Sequence, residues 1–306
     1  MIHVVIGTKA QLIKMAPVMA ELQRRKINYN FIFTGQHQET IDKLLNNFNL
    51  KKPDFILYKG EDVTDISLMG LWMIKNVYKT LKEKDKIFQN DSKGIVLVHG
   101  DTFSTLLGAI MGKITHLRLG HVESGLRSFN IFSPFPEELT RLAVFNLSDY
   151  YFYSGRWAGN NLNKYKGNKV DISQNTLLDS LRLAIKNESS VEVDIPKEKY
   201  CIATIHRFEN IFKKNKLHDI IDILSEISQK IKILFILHPP TRKQLEKFGY
   251  LDILKKNENI ELRPRYDYFE FIKLVHHSEY VISDGGSNQE ECYYMGKPCL
   301  LLRHKT

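Results

Sequence analysis

A chain of 306 residues, 43% hydrophobic and 26% charged, has the length for two domains with substantial cores and the composition of an ordinary globular protein. No apolar run approaches the roughly 20 residues that span a bilayer, and the N-terminus enters a strand without a signal peptide's basic segment or cleavage site, so no membrane partner is expected. The net charge of +9 is spread over lysines interleaved with acids, as in Lys79-Thr80-Leu81-Lys82-Glu83-Lys84-Asp85-Lys86, so no nucleic-acid partner is expected either.

In chain order, short apolar runs predict strands over residues 3–6, 29–34, 94–99, 117–122 and 150–153. Helical periodicity lies between them: Ile41, Leu44, Leu45 and Phe48 mark one face, and residues 64–84 form a long helix candidate. Composition turns polar around Lys186-Asn187-Glu188-Ser189-Ser190. A second series of strands follows over 200–205, 232–237, 260–262, 280–283 and 299–302. Alternating strand and helix patterns predict parallel sheets flanked by helices. The expected architecture is two Rossmann-like, doubly wound α/β lobes, residues 1–170 and 171–306, with a cleft between them. Cys201, Cys292 and Cys299 show neither metal-ligand spacing nor a disulfide framework, so a reducing, cytoplasmic setting is expected.

Ligands of open α/β sheets bind beyond the carboxyl ends of the strands. In the first lobe those ends carry Gly7-Thr8-Lys9, Gln36-His37, Asp101, and His121-Val122-Glu123. In the second they carry His206-Arg207, His238 and the turn Ser283-Asp284-Gly285-Gly286-Ser287-Asn288-Gln289-Glu290-Glu291. Two glycines at a strand-to-helix turn let a ligand approach bare backbone, and the first helical amides then face it unpaired. This is an anion site, most naturally for a phosphate or diphosphate. Glu291 falls about one turn further in, where a carboxylate suits ribose hydroxyls. One set is rich in carboxylates, the other in imidazole, guanidinium and helix amides.

Several residues carry two readings. Asp101 before Thr102 is either a proton-transfer group or the N-cap of the next helix. His99-x-Asp101 and His121-x-Glu123 also have the form of metal-ligand pairs, which would make the chain a metallohydrolase. Ser133-Pro134-Phe135-Pro136-Glu137-Glu138-Leu139-Thr140-Arg141 is a stiff helix entry in which Glu137 and Arg141 stand at i, i+4, either as a surface ion pair or with Glu137 in the site. His206 is a general acid, a phosphate donor or a capping side chain, and Arg207 suits phosphate or carboxylate.

Taken in order, these motifs resemble the UDP-N-acetylglucosamine 2-epimerases. The matching residues are Gly7-Thr8-Lys9 with Ile13-Lys14-Met15-Ala16-Pro17, Gln36-His37, Val98-His99-Gly100-Asp101-Thr102, and Gly120-His121-Val122-Glu123-Ser124-Gly125-Leu126-Arg127. They continue through Pro136-Glu137-Glu138, Asn175-Thr176 with Asp179, His206-Arg207 with Glu209-Asn210, and the glycine turn ending Gln289-Glu290-Glu291. The resemblance implies a GT-B fold, a UDP-sugar substrate, a homodimer, and no metal or other cofactor. It implies epimerisation at carbon 2 through UDP elimination to a glycal and re-addition, feeding cell-surface polysaccharide synthesis. A hydrolysing variant releasing free N-acetylmannosamine, and a UDP-sugar-binding fragment without turnover, share the same motifs. The implied catalytic residues are Asp101, Glu123, Glu137 and His206. The implied substrate- or UDP-binding residues are Lys9, Lys14, Arg127, Arg207, His238, Gly285, Gly286, Ser287 and Glu291.

The chain departs from the family pattern in places. The common Arg-Pro-Glu after Gly-Thr is Lys9-Ala10-Gln11, and the Ser-Gly-Gly-Ile turn is Gly285-Gly286-Ser287-Asn288. Gln36 is kept, but Glu39 and Met69 stand where members with an allosteric substrate site carry a glutamine and an arginine, so that activation is not expected. The chain stops at Arg303-His304-Lys305-Thr306, before the family's closing helices, so an incomplete C-terminal lobe is expected.

Overall fold

The computed structural model describes residues 1–36, 41–60, 62, 66–131 and 135–303. The chain forms two compact units, Met1–Ser180 and Leu181–Thr306. The division falls inside the helix Leu177–Lys186, ten residues after the expected 170/171 boundary.

Unit 1 is a seven-stranded sheet of β1 (Ile2–Ile6), β2 (Tyr29–Phe33), β3 (Phe55–Ile56), β4 (Ile95–His99), β5 (Arg118–Ser124), β6 (Tyr150–Tyr153) and β7 (Asn168–Asp171). Its order is β3-β2-β1-β4-β5-β6-β7, with every pairing parallel. Unit 2 has five parallel strands, β8 (Tyr200–Thr204), β9 (Lys232–Leu237), β10 (Ile260–Pro264), β11 (Val281–Ser283) and β12 (Cys299–Leu301), in the order β10-β9-β8-β11-β12. The strand order reverses between β1 and β4 in one unit and between β8 and β11 in the other, and such switch points are where open α/β sheets bind ligands.

The expected strands form with ends shifted by a residue or two. Their central members are buried on both faces, from Val4, Val5 and Ile6 to Ile233, Leu234 and Phe235, which is why they read as continuous apolar runs. Two edge strands lie outside that signal. β3 is two residues long, and every residue of β7 is exposed, so neither carries an apolar run. The long helix runs Ile66–Ile87 and is broken locally at Glu83, with φ −117 and ψ 21. Ile41, Leu44, Leu45 and Phe48 are all buried, as their spacing predicts.

The helix Lys9–Arg24 contains Pro17, which has no N–H to offer the carbonyl of Ile13. That carbonyl instead accepts from Ser180 Oγ at 2.5 Å, so the proline of the Lys14–Pro17 motif becomes a docking point for the chain leaving β7.

Candidate functional site

At the unit 1 switch point, Gly7 follows β1 without room for a side chain: a Cβ there would lie 1.9 Å from Ser104 Oγ and 2.0 Å from Thr34 Oγ1. Thr8 caps the next helix in a capping box with Gln11. The Gln11 carboxamide accepts from Gly7 N (2.9 Å) and Thr8 N (3.2 Å) and donates to His99 O (2.8 Å) and Thr105 Oγ1 (2.9 Å). It ties the end of β1 to the end of β4. Donation to His99 O needs the amide, so the departure from glutamate at this position has a structural use. Gln36 is buried and accepts from Ser104 N and Oγ, while Met69 packs against the core. His37, Glu39, Ser133, Pro134 and residues 304–306 lie outside the described residues.

The N-cap reading of Asp101 is corrected: Thr102 caps the helix Phe103–Ile114, in a box with Thr105. Asp101 Oδ2 accepts from the Arg141 guanidinium at 2.5 Å. The expected Glu137–Arg141 pair is likewise absent among the described residues, because Arg141 turns to Asp101 and, at 3.3 Å, to Glu138. Glu138, fully buried, also accepts from Arg127 Nε and from Ser128 N at 3.0 Å. One buried carboxylate thus anchors Arg127 and its loop to the helix Glu137–Leu147, whose N-cap is Pro136. Glu137 keeps a buried Oε2 with no hydrogen-bond partner among the described residues.

Glu123 sits where β5 bulges, between Val122 and Ser124, with a left-handed φ of +62. Its Oε1 accepts from Lys14 Nζ and from Asn175 Nδ2 (2.6 Å), and its Oε2 stands 3.4 Å from His99 Nε2. Burial raises its pKa, but Lys14, His99 and Asn175 together outweigh this and hold it at about 2. Burial pushes His99 and His121 down to about 4, against the pull of Glu123. His121 donates Nε2–H to Gly100 O at 2.7 Å, and its Nδ1 accepts from Ser124 Oγ at 3.2 Å. Both ring nitrogens of His121 therefore have partners within unit 1. Lys9 begins its helix at this same sheet end.

In unit 2 the organising residue is Asp284, which is fully buried at the end of β11. It accepts from His206 N (3.1 Å), Arg207 N (2.9 Å) and Asn210 Nδ2 (2.9 Å), and its Oδ1 lies 3.2 Å from His206 Nδ1. Asn210 also donates to Leu302 O at 2.8 Å. This network fixes the His206–Arg207 loop against the glycine turn. Burial lowers the pKa of His206, partly offset by Asp284. His206 stacks on His238 with ring centroids 4.8 Å apart. Arg207 Nη1 lies 3.3 Å from Glu209 Oε1.

The helix Gly286–Tyr294 starts at Gly285 with no side-chain cap, so its first amides have no partner from that source. A Cβ on Gly285 would come within 2.7 Å of Asn288 Oδ1 and 3.0 Å of His206 Cε1, so glycine is needed for the imidazole to approach. On Gly286 a Cβ would meet only Arg303 Nη1, at 3.7 Å. Gly286 and Ser287 are exposed, whereas Glu291 is buried and accepts from Asn288 Nδ2 at 3.3 Å. Arg303 donates to Gln289 Oε1, and its pKa is lowered first by burial and then by repulsion from Arg207. Sequence reasoning took Arg303 only as the chain's end and gave Asp284, Asn210 and Glu138 no separate role.

The model of the family described as UDP-N-acetylglucosamine 2-epimerase matches residues 20–306. The UDP-N-acetylglucosamine 2-epimerase of Methanococcus maripaludis is 34% identical over 322 residues, covering 100% of this chain and 83% of the relative. That of Methanocaldococcus jannaschii is 32% identical, covering 100% of this chain and 84% of the relative. This chain belongs to the UDP-N-acetylglucosamine 2-epimerase family. Its members are isomerases. Among solved structures, the Neisseria meningitidis UDP-GlcNAc 2-epimerase bound to UDP-GlcNAc superposes with a TM-score of 0.84 at 30% identity, over 100% of this chain and 83% of that one. The Methanocaldococcus jannaschii enzyme in complex with UDP-GlcNAc and UDP gives 0.80 at 28% identity, over 100% and 84%. These neighbours bear out the GT-B class expected for the two parallel-sheet units. No helix among the described residues is long and apolar enough to cross a membrane.

Proposed function

We propose that this protein interconverts UDP-N-acetylglucosamine and UDP-N-acetylmannosamine. A carboxylate takes the proton from carbon 2 while the bond from carbon 1 to the diphosphate oxygen breaks. The electron pair of the broken C–H bond becomes the double bond of a glycal, and UDP carries away the charge. UDP then re-adds at carbon 1 while a proton is delivered to the other face of carbon 2. The observation that carries this reading is Glu137: a buried carboxylate oxygen with no donor among the described residues is an acceptor held ready for a proton. Asp101, tethered by Arg141, is the second proton-transfer group.

Glu123 joins that set under a condition. With Lys14 and Asn175 on it, Glu123 is too acidic to act as a base near neutral pH, so substrate binding has to draw Lys14 off it. Lys14 would then follow the substrate's negative charge, and Lys9 supports the same anion. Arg127 is assigned to holding its loop, since its Nε donates to the buried Glu138 carboxylate.

For unit 2, the amides of Gly286 and Ser287 and the positive helix end would receive the diphosphate, with Arg207, Arg303, His206 and His238 around it. Gly286 supports this: it is exposed at the helix start, and among the described residues a Cβ there would meet only Arg303 Nη1, at 3.7 Å, which leaves the backbone open to a ligand. Glu291 would take the ribose hydroxyls. The test is proton NMR of UDP-N-acetylglucosamine with the protein in heavy water. Loss of the carbon-2 proton signal with UDP-N-acetylmannosamine appearing is the expected result. Free N-acetylmannosamine with UDP would establish the hydrolysing reaction, and an unchanged spectrum in which UDP still binds would leave only a binding protein.

We also propose a homodimer. On the helix Ile66–Ile87, Leu68, Leu71, Ile74, Tyr78 and Leu81 are each more than half exposed at helical spacing, a stripe suited to a second copy. Light scattering after gel filtration should give twice the chain mass, and Ile74→Glu should lower it; a wild-type monomer would refute the proposal.

A further inference from the structure

A second cluster stands apart from both switch points, on unit 2. Glu188 opens a short 3₁₀ turn, and His276 and His277 end the helix Tyr268–His277. His276 Nδ1 lies 2.8 Å from Glu188 Oε2, and His277 Nε2 lies 3.7 Å from Glu188 Oε1. Each carboxylate oxygen therefore faces a different imidazole, and one ligand atom from each of the three residues falls within 4.8 Å of the others. All three side chains are partly exposed, so an ion reaches them from solvent.

We infer that Glu188, His276 and His277 form a binding site for a divalent d-block cation, with zinc as the ion of matching chemistry. Two imidazoles and one carboxylate are a donor set zinc accepts with a fourth position left to water. Tetrahedral zinc with bonds of about 2.0–2.2 Å separates its ligand atoms by roughly 3.3–3.6 Å, so closure asks for about 1 Å of side-chain movement. The backbones carrying the ligands are already pinned. Lys273 Nζ donates to Glu188 O (3.0 Å) and Val191 O (2.8 Å). Lys297 Nζ donates to His276 O (3.0 Å) and to Ser278 O. These two ammonium groups repel an added cation, so the site binds more weakly than a closed four-ligand one. Calcium and magnesium, which prefer all-oxygen shells, are disfavoured by the imidazoles. A bound ion would staple the turn at Glu188 to the helix end and stabilise the folded chain.

The test uses the full chain, freed of metal by chelation, with zinc chloride titrated calorimetrically and Tm followed in parallel. Binding of one zinc per chain with a rise in Tm is expected. His277→Asn and Glu188→Gln should each weaken binding by at least about tenfold and cancel the rise in Tm. Cys299→Ser, which removes a partly exposed thiol, should change neither. No zinc binding, undiminished binding in both ligand variants, or loss of binding in Cys299→Ser would each overturn the assignment.

Discussion

The two units have the same topology at their switch points and opposite chemistry. At the end of β1 and β4, carboxylates are held by cations: Glu123 by Lys14, Asp101 by Arg141, Glu138 by Arg127 and Arg141. At the end of β8 and β11 the fully buried carboxylate of Asp284 is satisfied by backbone and amide donors, and Arg207 and Arg303 stand near it. Parallel sheets of this kind dictate where a site lies; the residues at the strand ends decide what it does. In the proposed reaction, one end would move protons and the other would bind the diphosphate.

The largest expected effect separates those two jobs. Glu137→Gln should lower carbon-2 proton exchange by about 10²–10⁴-fold, read by NMR, with UDP affinity by calorimetry nearly unchanged. Equal loss of both would place Glu137 in binding or folding instead. Asp284→Ala tests the opposite end. It strands His206 N, Arg207 N and Asn210 Nδ2, at about 1–3 kcal/mol for each unsatisfied buried group, so urea unfolding should shift by several kcal/mol and UDP binding should fail.

The pH dependence sharpens the contrast in unit 1. His99 and His121 are buried with pKa values of about 4, below the ordinary 6.5, so the unfolded chain binds more protons between those values. Their contribution to stability is complete above pH 6.5 and lost as pH falls towards 4. Glu123, depressed from 4.5 to about 2, adds its own loss between those values. Tm should therefore drop most steeply below pH 6.5, and replacing His121 by Asn should flatten that limb; an unchanged slope would contradict the assignment. The smallest effect is that of Gln11→Glu, which deletes the donations to His99 O and Thr105 Oγ1 and should cost about 1–3 kcal/mol by the same unfolding measurement.

Legibility differed by residue for physical reasons. The glycine turn, His206-Arg207 and Asp101 were readable because they follow apolar strands, and a strand end in a parallel sheet has a known direction. The N-cap alternative for Asp101 was settled only by Thr102, since both residue types cap helices and sequence does not say which side chain turns back. The Glu137–Arg141 spacing was sound helix geometry, yet Arg141 found Asp101, forty residues away in sequence and brought close by the packing of the helix Glu137–Leu147 on the helix Phe103–Ile114. β7 gave no signal because an exposed edge needs no apolar residues.

From the sequence alone came the alternation of strands and helices, the strand ends at which the candidate site residues gather, and, through the order of its motifs, the family. Those follow from local periodicity and from residues next to one another in the chain. Tertiary structure decided which groups meet: that Lys14 and Asn175 hold Glu123 acidic, that one Glu137 oxygen has no donor among the described residues, and that Asp284 ties the His206–Arg207 loop to the end of β11. Electrostatic and hydrogen-bond partners are set by distances of a few ångströms across the fold, and those distances exist only once the chain has packed.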